Sequence, residues 1–190
     1  QLLRDIASYC SRQHIYLVVD ECFLPFVKDG KERSMVAALS ENAYLIVISA
    51  FTKLYAMPGL RLGMAACSNG ILLSQMKQLQ TEWGVSVPAQ IAGVAALKED
   101  AYVSRARQIV EEEREYLRTE LNNLWYKVYP SDANFLMFES EKELYEPLLA
   151  QGILVRSCDN FINGSAHLIR IAVKTHEENE ELIHALRTLS

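Results

Sequence analysis

The chain has 190 residues, half of them hydrophobic, and a formal net charge of −5 at pH 7. This length and composition suit one or two compact domains. Acidic and basic residues are mixed along the chain without a basic stripe, which argues against a nucleic-acid partner. The longest apolar stretches, such as 44–51, fall short of the roughly 20 residues that a membrane helix needs, so no membrane association is expected.

The cysteines and the N-terminus bear on the compartment of the protein. The four cysteines are scattered, with no C-x-x-C pair and no partnering histidines, which predicts reduced thiols in a cytoplasmic protein and no metal site. The first residues have the pattern of a polar-interrupted amphipathic helix, not that of a signal peptide. Because the chain starts without methionine, inside that helix, we expect it to be a fragment of a longer polypeptide.

The first third of the chain alternates between helix and strand. Its predicted elements are an amphipathic helix over 2–13, strands over 15–19, 44–49 and 61–67, and a short helix over 34–40. Strands that are continuous apolar runs, separated by helices, are typical of an α/β fold. We therefore expect a mostly parallel sheet with helices on both faces.

The middle of the chain is predicted to be helical. A helix over 69–82 has Asn69 as its N-cap, and a second helix over 89–98 is small and apolar. A third helix, over 100–125, is long, amphipathic and rich in Glu and Arg. Its charge run is most simply a solvated face.

The last third changes to an α+β pattern. Its predicted elements are strands over 127–129, 134–138, 153–156 and 167–173, and a helix over 142–151. Thr175, with Glu178 three residues on, forms a capping box that opens a last helix. We therefore expect a first unit over 1–100, a bridging helix over 100–125 and a smaller α+β unit over 126–190.

Polar side chains with complementary chemistry follow the strands of the first unit. Asp20 ends the first strand, Ser49, Thr52 and Lys53 lie at and just past the end of the second, and Arg61 opens the third. The carboxyl ends of strands are where α/β sheets build their sites. A carboxylate can keep a pyridine nitrogen protonated, a lysine can form an imine, and an arginine with hydroxyls can hold a phosphate. The order and spacing of these groups match a pyridine cofactor that bears a phosphate.

A serine acylase is the competing interpretation of neighbouring Ser and Lys residues. That chemistry needs a Ser-x-x-Lys motif, in which the serine stands three residues before the lysine. The residue three before Lys53 is Ala50, and Ser49 is one position too far away. The spacing therefore excludes this class.

Two segments, DECF over 20–23 and AFTKLYAMPGLRLG over 50–63, resemble the fold-type-I pyridoxal-phosphate enzymes. More narrowly, the chain resembles the class I/II aminotransferase group that contains histidinol-phosphate aminotransferase and threonine-phosphate decarboxylase. The resemblance spans the whole chain. It implies that 1–100 is the C-terminal part of a large cofactor-binding domain whose upstream half is missing, and that 126–190 is the small C-terminal domain. It also implies pyridoxal 5′-phosphate as cofactor and a homodimer in the full-length protein.

The resemblance assigns roles in the large domain. Lys53 matches the lysine that carries the cofactor as a Schiff base, Asp20 the partner of the pyridine nitrogen, and Arg61 a ligand of the cofactor phosphate. Phe23 stands where many relatives have a tyrosine that hydrogen-bonds the phenolic oxygen of the cofactor, and it lacks that hydroxyl.

The phosphate site departs from the family pattern at one position. Many relatives have Ser or Thr three residues before the lysine, where this chain has Ala50. Thr52 or Ser49 could substitute as the hydroxyl ligand of the phosphate.

The resemblance also assigns substrate contacts in the small unit. Asn134 and Arg170 lie in segments that match family motifs, and Arg170 resembles the arginine that binds the substrate carboxylate in a bidentate fork. Arg156 resembles the arginine that relatives direct at the anionic end of a phosphorylated substrate. The run over 153–161, with its Cys-x-Asn-aromatic stretch, is more typical of threonine-phosphate decarboxylase, although Asn160 could simply form a turn.

The function implied by this resemblance is a threonine-phosphate decarboxylase-like reaction of cobalamin biosynthesis on a phosphorylated amino acid or amine. The first alternative is a histidinol-phosphate or other amino-acid aminotransferase. The second alternative is a non-catalytic truncated fragment, because the upstream half of the large domain is missing. We expect the isolated chain to be inactive.

Overall fold

The structure is a computed structural model that describes residues 1–161, 164 and 167–189. The chain divides into two compact units, Gln1–Val103 (unit 1) and Ser104–Ser190 (unit 2). The division falls within the long helix Asp100–Asn123. No helix in the described part of the chain is long and apolar enough to cross a membrane.

Unit 1 consists of a small sheet with helices before, between and after its strands. Its elements are helices α1 (Leu2–Arg12), α2 (Gly30–Arg33), α3 (Gly70–Leu79) and α4 (Val87–Ala96), strands β1 (Leu17–Asp20), β2 (Leu45–Ala50) and β3 (Gly63–Ala66), and 3-10 helices over Leu24–Phe26, Met35–Glu41 and Pro58–Leu60. The predicted α/β class is confirmed. The short helix predicted over 34–40 is a 3-10 helix.

The sheet of unit 1 has the order β1-β2-β3 and is mixed. Strands β1 and β2 are parallel, whereas β2 and β3 are antiparallel, with Ala50 opposite Gly63. The prediction of a mostly parallel sheet therefore holds for β1 and β2 but not for β2 and β3. The connection over 51–62 turns back at the 3-10 helix Pro58–Leu60 instead of crossing the sheet in an α-helix, so β3 returns beside β2 in the opposite direction.

One face of this sheet is packed against helices. Leu45 and Val47 of β2 are buried against Ala7 of α1 and Met35 of the 3-10 helix Met35–Glu41. On the opposite face Val18 is 55% exposed. Ile46 of β2, opposite Val18 in the register, is nevertheless buried, so among the described residues this second face is covered at β2 and open at β1.

The N-cap predicted at Asn69 is confirmed. The Asn69 side chain accepts hydrogen bonds from the backbone N–H groups of Ile71 and Leu72, both at 3.1 Å. Helix α4 starts two residues earlier than predicted, because Ser86 caps it through the N–H of Ala89 at 3.3 Å. These caps satisfy donors that the first turn of each helix leaves without a partner.

Unit 2 packs three helices against an antiparallel sheet of order β4-β5-β7-β6. Its elements are α5 (Asp100–Asn123, which begins in unit 1), α6 (Tyr145–Ala150), α7 (His176–Leu189), β4 (Lys127–Tyr129), β5 (Phe135–Glu139), β6 (Arg156–Ser157) and β7 (Leu168–Ala172). Its core is formed by buried side chains from α5, β5, β7 and α7, among them Leu117, Leu121, Leu136, Phe138, Ile169, Ile171, Ile183 and Leu186. The α+β pattern predicted for this part of the chain is what the structure has.

The capping box predicted at Thr175 opens α7. The Thr175 N–H donates to Glu178 Oε2 at 3.4 Å, and the Glu178 N–H donates back to Thr175 Oγ1 at 3.5 Å. The two residues thus satisfy each other's backbone donors before the helix begins.

The prediction of a strand over 153–156 is wrong for most of these residues. Strand β6 starts only at Arg156, because Ile153 still belongs to the end of α6. The Ile153 N–H donates to Leu148 O and the Gly152 N–H donates to Leu149 O, both at 2.9 Å. This is a Schellman motif, and Gly152 takes the left-handed position with φ of 80°.

Helix α5 ends in the same motif with a tryptophan in place of the glycine. The Tyr126 N–H donates to Leu121 O at 3.1 Å and the Trp125 N–H donates to Asn122 O at 3.0 Å. Trp125 therefore adopts φ of 64° and is 94% exposed. A side chain in this conformation brings its Cβ close to the backbone and costs about 1–2 kcal/mol.

Replacing Trp125 by glycine is expected to raise the free energy of unfolding by about 0.5–1 kcal/mol, because the strain at positive φ disappears while the freer unfolded chain offsets part of the gain. Urea unfolding followed by circular dichroism measures the change. Trp125→Ala is the matched control, since it removes the same exposed ring and keeps the Cβ. Equal unfolding midpoints for the two variants would contradict the prediction.

Candidate functional site

The first part of the site is the turn that follows β1. Asp20 is the last residue of β1, and its Oδ1 accepts the backbone N–H of Cys22 at 2.9 Å. The thiol and the N–H of Cys22 both donate to this carboxylate and lower the pKa of Asp20. Asp20 is therefore an anion at neutral pH, as a partner of a protonated ring nitrogen must be.

The second part is Lys53, in the turn that follows β2. Its Nζ lies 5.6 Å from the centroid of the Phe23 ring, at a distance where the ammonium is attracted to the ring face. Burial, together with the hydrogen bond to Asp20 and the negative charge of Asp20, raises the pKa of the Cys22 thiol to about 11, and the positive charge of Lys53 acts in the opposite direction. Both Asp20 and Lys53 are therefore near Cys22. The structure brings these two predicted residues together with Phe23.

The lysine turn is anchored by its apolar neighbours. Phe51 and Leu54 are buried on either side of the exposed Lys53. Helix α4 approaches this turn closely at Gly93, where a Cβ would lie 2.4 Å from Leu62 Cδ2 and 3.9 Å from the Phe51 ring. The lysine is thus exposed on a turn whose flanks are fixed.

Arg61 and the two hydroxyl candidates lie on the same loop and strand. Arg61 follows the 3-10 helix Pro58–Leu60 with φ of 54°, and its Nη1 donates to Pro58 O at 3.1 Å. A guanidinium has five N–H donors, so this bond leaves Arg61 able to bind an anion. Ser49 on β2 and Thr52 in the turn are both half-buried.

In unit 2, Arg156 and Arg170 form a direct cross-strand pair. Arg156 of β6 is opposite Arg170 of β7 in the register, so both project from the face opposite the core. Arg170 is half-buried with its Cζ 5.3 Å from the centroid of the Phe135 ring, and Arg156 Nη2 donates to Asn160 Oδ1 at 3.0 Å. Two like charges in this position repel each other, and an anion bound beside them would relieve that repulsion.

Asn134 lies immediately before β5, next to Phe135. Its backbone carbonyl accepts the Val173 N–H at 2.9 Å, which fixes its place at the sheet. Its side-chain Oδ1 is buried and has no hydrogen-bond partner among the described residues. A buried acceptor without a partner is costly, and a ligand donor would satisfy it.

These residues fit the cofactor that the sequence predicts. An anionic carboxylate, an exposed amine and a loop arginine are the groups that a phosphate-bearing pyridine aldehyde requires. The described residues contain no group of three or more His, Cys, Asp or Glu side chains that could hold a metal ion.

Two residues beside Asp20 have contacts that the sequence does not predict. Cys22 donates to the Asp20 carboxylate, and the adjacent Glu21 is buried with its carboxylate bonded to Ser34 and Met35. Glu21 appears in sequence as an ordinary acid after a strand, and its partners are more than ten positions away. Only the packing of the Met35–Glu41 helix shows its role.

Comparisons with known proteins give the family. The model of the family "Aminotransferase class I and II" matches residues 1–186. Threonine-phosphate decarboxylase of Salmonella typhimurium is 35% identical over 192 residues, which cover 99% of this chain and 52% of that protein. Histidinol-phosphate aminotransferase 2 of Archaeoglobus fulgidus is 35% identical over 191 residues, covering 99% of this chain and 54% of that protein. The crystal structure of histidinol-phosphate aminotransferase from Clostridium acetobutylicum matches with a TM-score of 0.93 and 27% identity, covering 98% of this chain and 57% of that chain.

These matches confirm the resemblance inferred from the motifs, and with it pyridoxal phosphate as the cofactor of the family. The chain spans about half the length of the curated relatives it matches. The sequence identity of this chain is 35% both to this decarboxylase and to this aminotransferase, so sequence identity does not distinguish the two reactions.

Alkylation of Cys22 provides a cofactor-independent test of the cluster. Asp20→Asn should lower the pKa of the Cys22 thiol, because it removes the negative charge and the strong acceptor, and Lys53→Met should raise it, because it removes the cation. The thiolate is the reactive form, so at pH 8 the first variant should react faster with iodoacetamide than the parent chain and the second more slowly. Peptide mapping measures the rate at Cys22. Changes of the same sign in both variants would show that the two charges do not act on this thiol as described.

Proposed function

Because the chain belongs to the aminotransferase class I and II family, we propose that it forms part of a pyridoxal-phosphate-dependent enzyme in which Lys53 carries the cofactor. The observation that carries this proposal is the cluster of Asp20, Phe23 and Lys53 at the carboxyl ends of β1 and β2. Pyridoxal phosphate, when bound, withdraws electrons from the substrate bond that is broken.

Residues of this chain would bind the cofactor and transfer protons. Asp20 holds the proton on the pyridine nitrogen, and Arg61, with Thr52 or Ser49, binds the phosphate. In a decarboxylase, Lys53 would return a proton to the substrate after carbon dioxide has left. In an aminotransferase it would move the proton from the substrate Cα to the cofactor carbon.

In unit 2 we propose that Arg170 binds the substrate carboxylate and Arg156 binds a second anionic group. The fork of a guanidinium matches a carboxylate or a phosphate in two parallel hydrogen bonds. The pair of opposed arginines favours a substrate with two anionic groups, such as a phosphorylated amino acid. We also propose Asn134 as a substrate contact, because its buried Oδ1 has no partner among the described residues and can accept a hydrogen bond from a donor of the substrate.

The best-supported reaction is decarboxylation of a threonine-phosphate-like substrate, as in cobalamin biosynthesis. Arg156 donates to Asn160, the asparagine of the Cys-x-Asn stretch that resembles the decarboxylase, and this bond holds the arginine in place. Such a substrate has a carboxylate and a phosphate on one molecule, so it matches both arginines at once.

Transamination is the second candidate, favoured by the TM-score of 0.93 to a histidinol-phosphate aminotransferase. Histidinol phosphate has a phosphate and no carboxylate, so in that reaction Arg170 would serve the keto-acid and amino-acid co-substrates instead. The two reactions use the same residues and differ in which bond at Cα is aligned for cleavage.

We further propose that the full-length protein is a cytoplasmic homodimer and that the 190-residue chain alone is inactive. Asp20, Lys53 and Arg61 are all exposed in this chain. A reaction of this class needs a site that excludes water, so further chain or a second subunit would have to cover these side chains. The remaining alternative is a chain without catalytic function, and binding of the cofactor tests it.

Reduction with borohydride after incubation of the full-length protein with pyridoxal phosphate should fix the cofactor to Lys53. Mass spectrometry of the peptides locates the modified lysine. Lys53→Ala should lose the fixed cofactor, whereas Lys77→Ala, which removes a lysine from α3 in the same unit, should keep it. The proposal fails if the Lys53→Ala variant still carries a specific adduct on another lysine. A reducible chromophore in the isolated 190-residue chain would refute its expected inability to form the site alone.

The reaction is identified by offering the full-length protein threonine phosphate, or histidinol phosphate with 2-oxoglutarate. We expect carbon dioxide from threonine phosphate without any keto acid. Arg170→Lys should lower kcat/KM by about 10- to 100-fold, because the bidentate contact to the carboxylate is lost. Arg105→Lys on the exposed face of α5 is the matched control and should leave kcat/KM unchanged. Glutamate formed from 2-oxoglutarate would instead establish the aminotransferase.

A further inference from the structure

Glu21 is a buried carboxylate that the proposed chemistry does not use. Its side chain follows Asp20 directly, yet the residue is only 8% exposed. Glu21 Oε2 accepts the Ser34 hydroxyl at 2.7 Å, and Oε1 accepts the Met35 N–H at 2.6 Å. Both oxygens of the carboxylate are therefore paired, as a buried charge requires.

The backbone of Glu21 is held as well. Its N–H donates to Ile48 O of β2 at 2.9 Å, which extends the pairing of β1 with β2 by one residue. Its carbonyl accepts the Leu24 N–H at 3.1 Å, which closes the turn after β1. Glu21 thus joins β2, the turn and the start of the 3-10 helix Met35–Glu41.

The side chains of Asp20 and Glu21 point in opposite directions, because successive residues of a strand alternate between its two faces. The Asp20 carboxylate contacts the Cys22 N–H, and the Glu21 carboxylate contacts Ser34 and Met35. A residue fixed on one side of the backbone therefore limits how far its neighbour on the other side can turn.

We propose that Glu21 is a positioning residue for Asp20, which holds the Asp20 carboxylate at the Cys22 N–H by tying the turn after β1 to Ser34 and Met35. The importance of this placement for catalysis rests on the proposed function, in which Asp20 serves the pyridine nitrogen. The placement itself can be measured without any cofactor, because the Cys22 thiol responds to the Asp20 carboxylate.

The test compares alkylation of Cys22 by iodoacetamide in variants of the 190-residue chain. Glu21→Ala should free the turn, move Asp20 away from Cys22 and raise the rate at pH 8 toward that of Asp20→Asn. A fall of one unit in the thiol pKa raises this rate by about threefold, because about ten times more thiolate outweighs its lower nucleophilicity. We expect at least this threefold rise. Glu21→Gln is the conservative variant and should keep the parent rate, since its amide can still accept from Met35 and donate to Ser34.

Cys67 controls for general loosening of unit 1, since it lies outside the turn after β1. A rise confined to Cys22 supports positioning. An unchanged Cys22 rate, or an equal rise at Cys67, overturns it. If Glu21→Ala does not fold by circular dichroism, Ser34→Ala removes one of the two bonds and should give a smaller rise at Cys22 alone, and no rise in that variant overturns the proposal. Loss of the borohydride adduct in the full-length protein would refute the cofactor role of Lys53 and leave this thiol result unaffected.

Discussion

The parallel pairing of β1 with β2 is the constraint on which the candidate cofactor site depends. In a parallel pair the carboxyl ends of both strands lie at the same edge of the sheet. Asp20 is opposite Ile48 in this register, so the turn that holds Asp20 and the turn that holds Lys53 emerge side by side. A slip of one residue would exchange the faces of Leu17 and Val19 and break their packing under the sheet. The hydrophobic core of unit 1 therefore fixes the register, and the register fixes which acid lies at the same edge of the sheet as the lysine.

In unit 2 the register of antiparallel strands likewise determines where charged side chains lie. The alternation along β5 and β7 directs Leu136, Phe138, Ile169 and Ile171 into the core and Phe135 and Arg170 to the opposite face. Register then brings Arg156 opposite Arg170, a pairing that costs stability in the absence of an anion. Asn134 Oδ1, just before β5, is buried without a partner among the described residues, which also costs stability. Costs of this kind are expected where a protein is built to bind rather than to be maximally stable.

Local sequence signals predicted most of the elements, because each depends on a few neighbouring residues. The cap at Asn69 and the box of Thr175 and Glu178 were found from spacing alone. The direction of β3 was not predicted, because an apolar run has the same pattern in a parallel and in an antiparallel strand. The turn at Pro58–Leu60 determines the direction of β3. The end of α6 was misplaced because Ile153 is apolar enough for a strand while its N–H closes a helix. In the candidate site, Lys53 and Asp20 were predicted from motif order, and their cofactor roles stay a proposal. The contacts of Glu21 and Cys22 could not be predicted, because they depend on residues that only the fold brings close.

The similarity to both a decarboxylase and an aminotransferase has a physical reason. Both reactions need a carboxylate for the ring nitrogen, a lysine for the cofactor and arginines for the anions of the substrate, so the residues that mark the family are shared. The reactions diverge in the bond at Cα that stands perpendicular to the cofactor ring, and that angle depends on where the anions of the substrate are held. In this chain Arg170 is restrained by the Phe135 ring, while Arg156 is restrained by Asn160, four residues along the chain. The position of Arg156 is thus set by a local contact within 156–160. Under the proposed function, in which Arg156 binds a second anion, a change at Asn160 would move that anion, and with it the angle at Cα, without altering any residue that identifies the family.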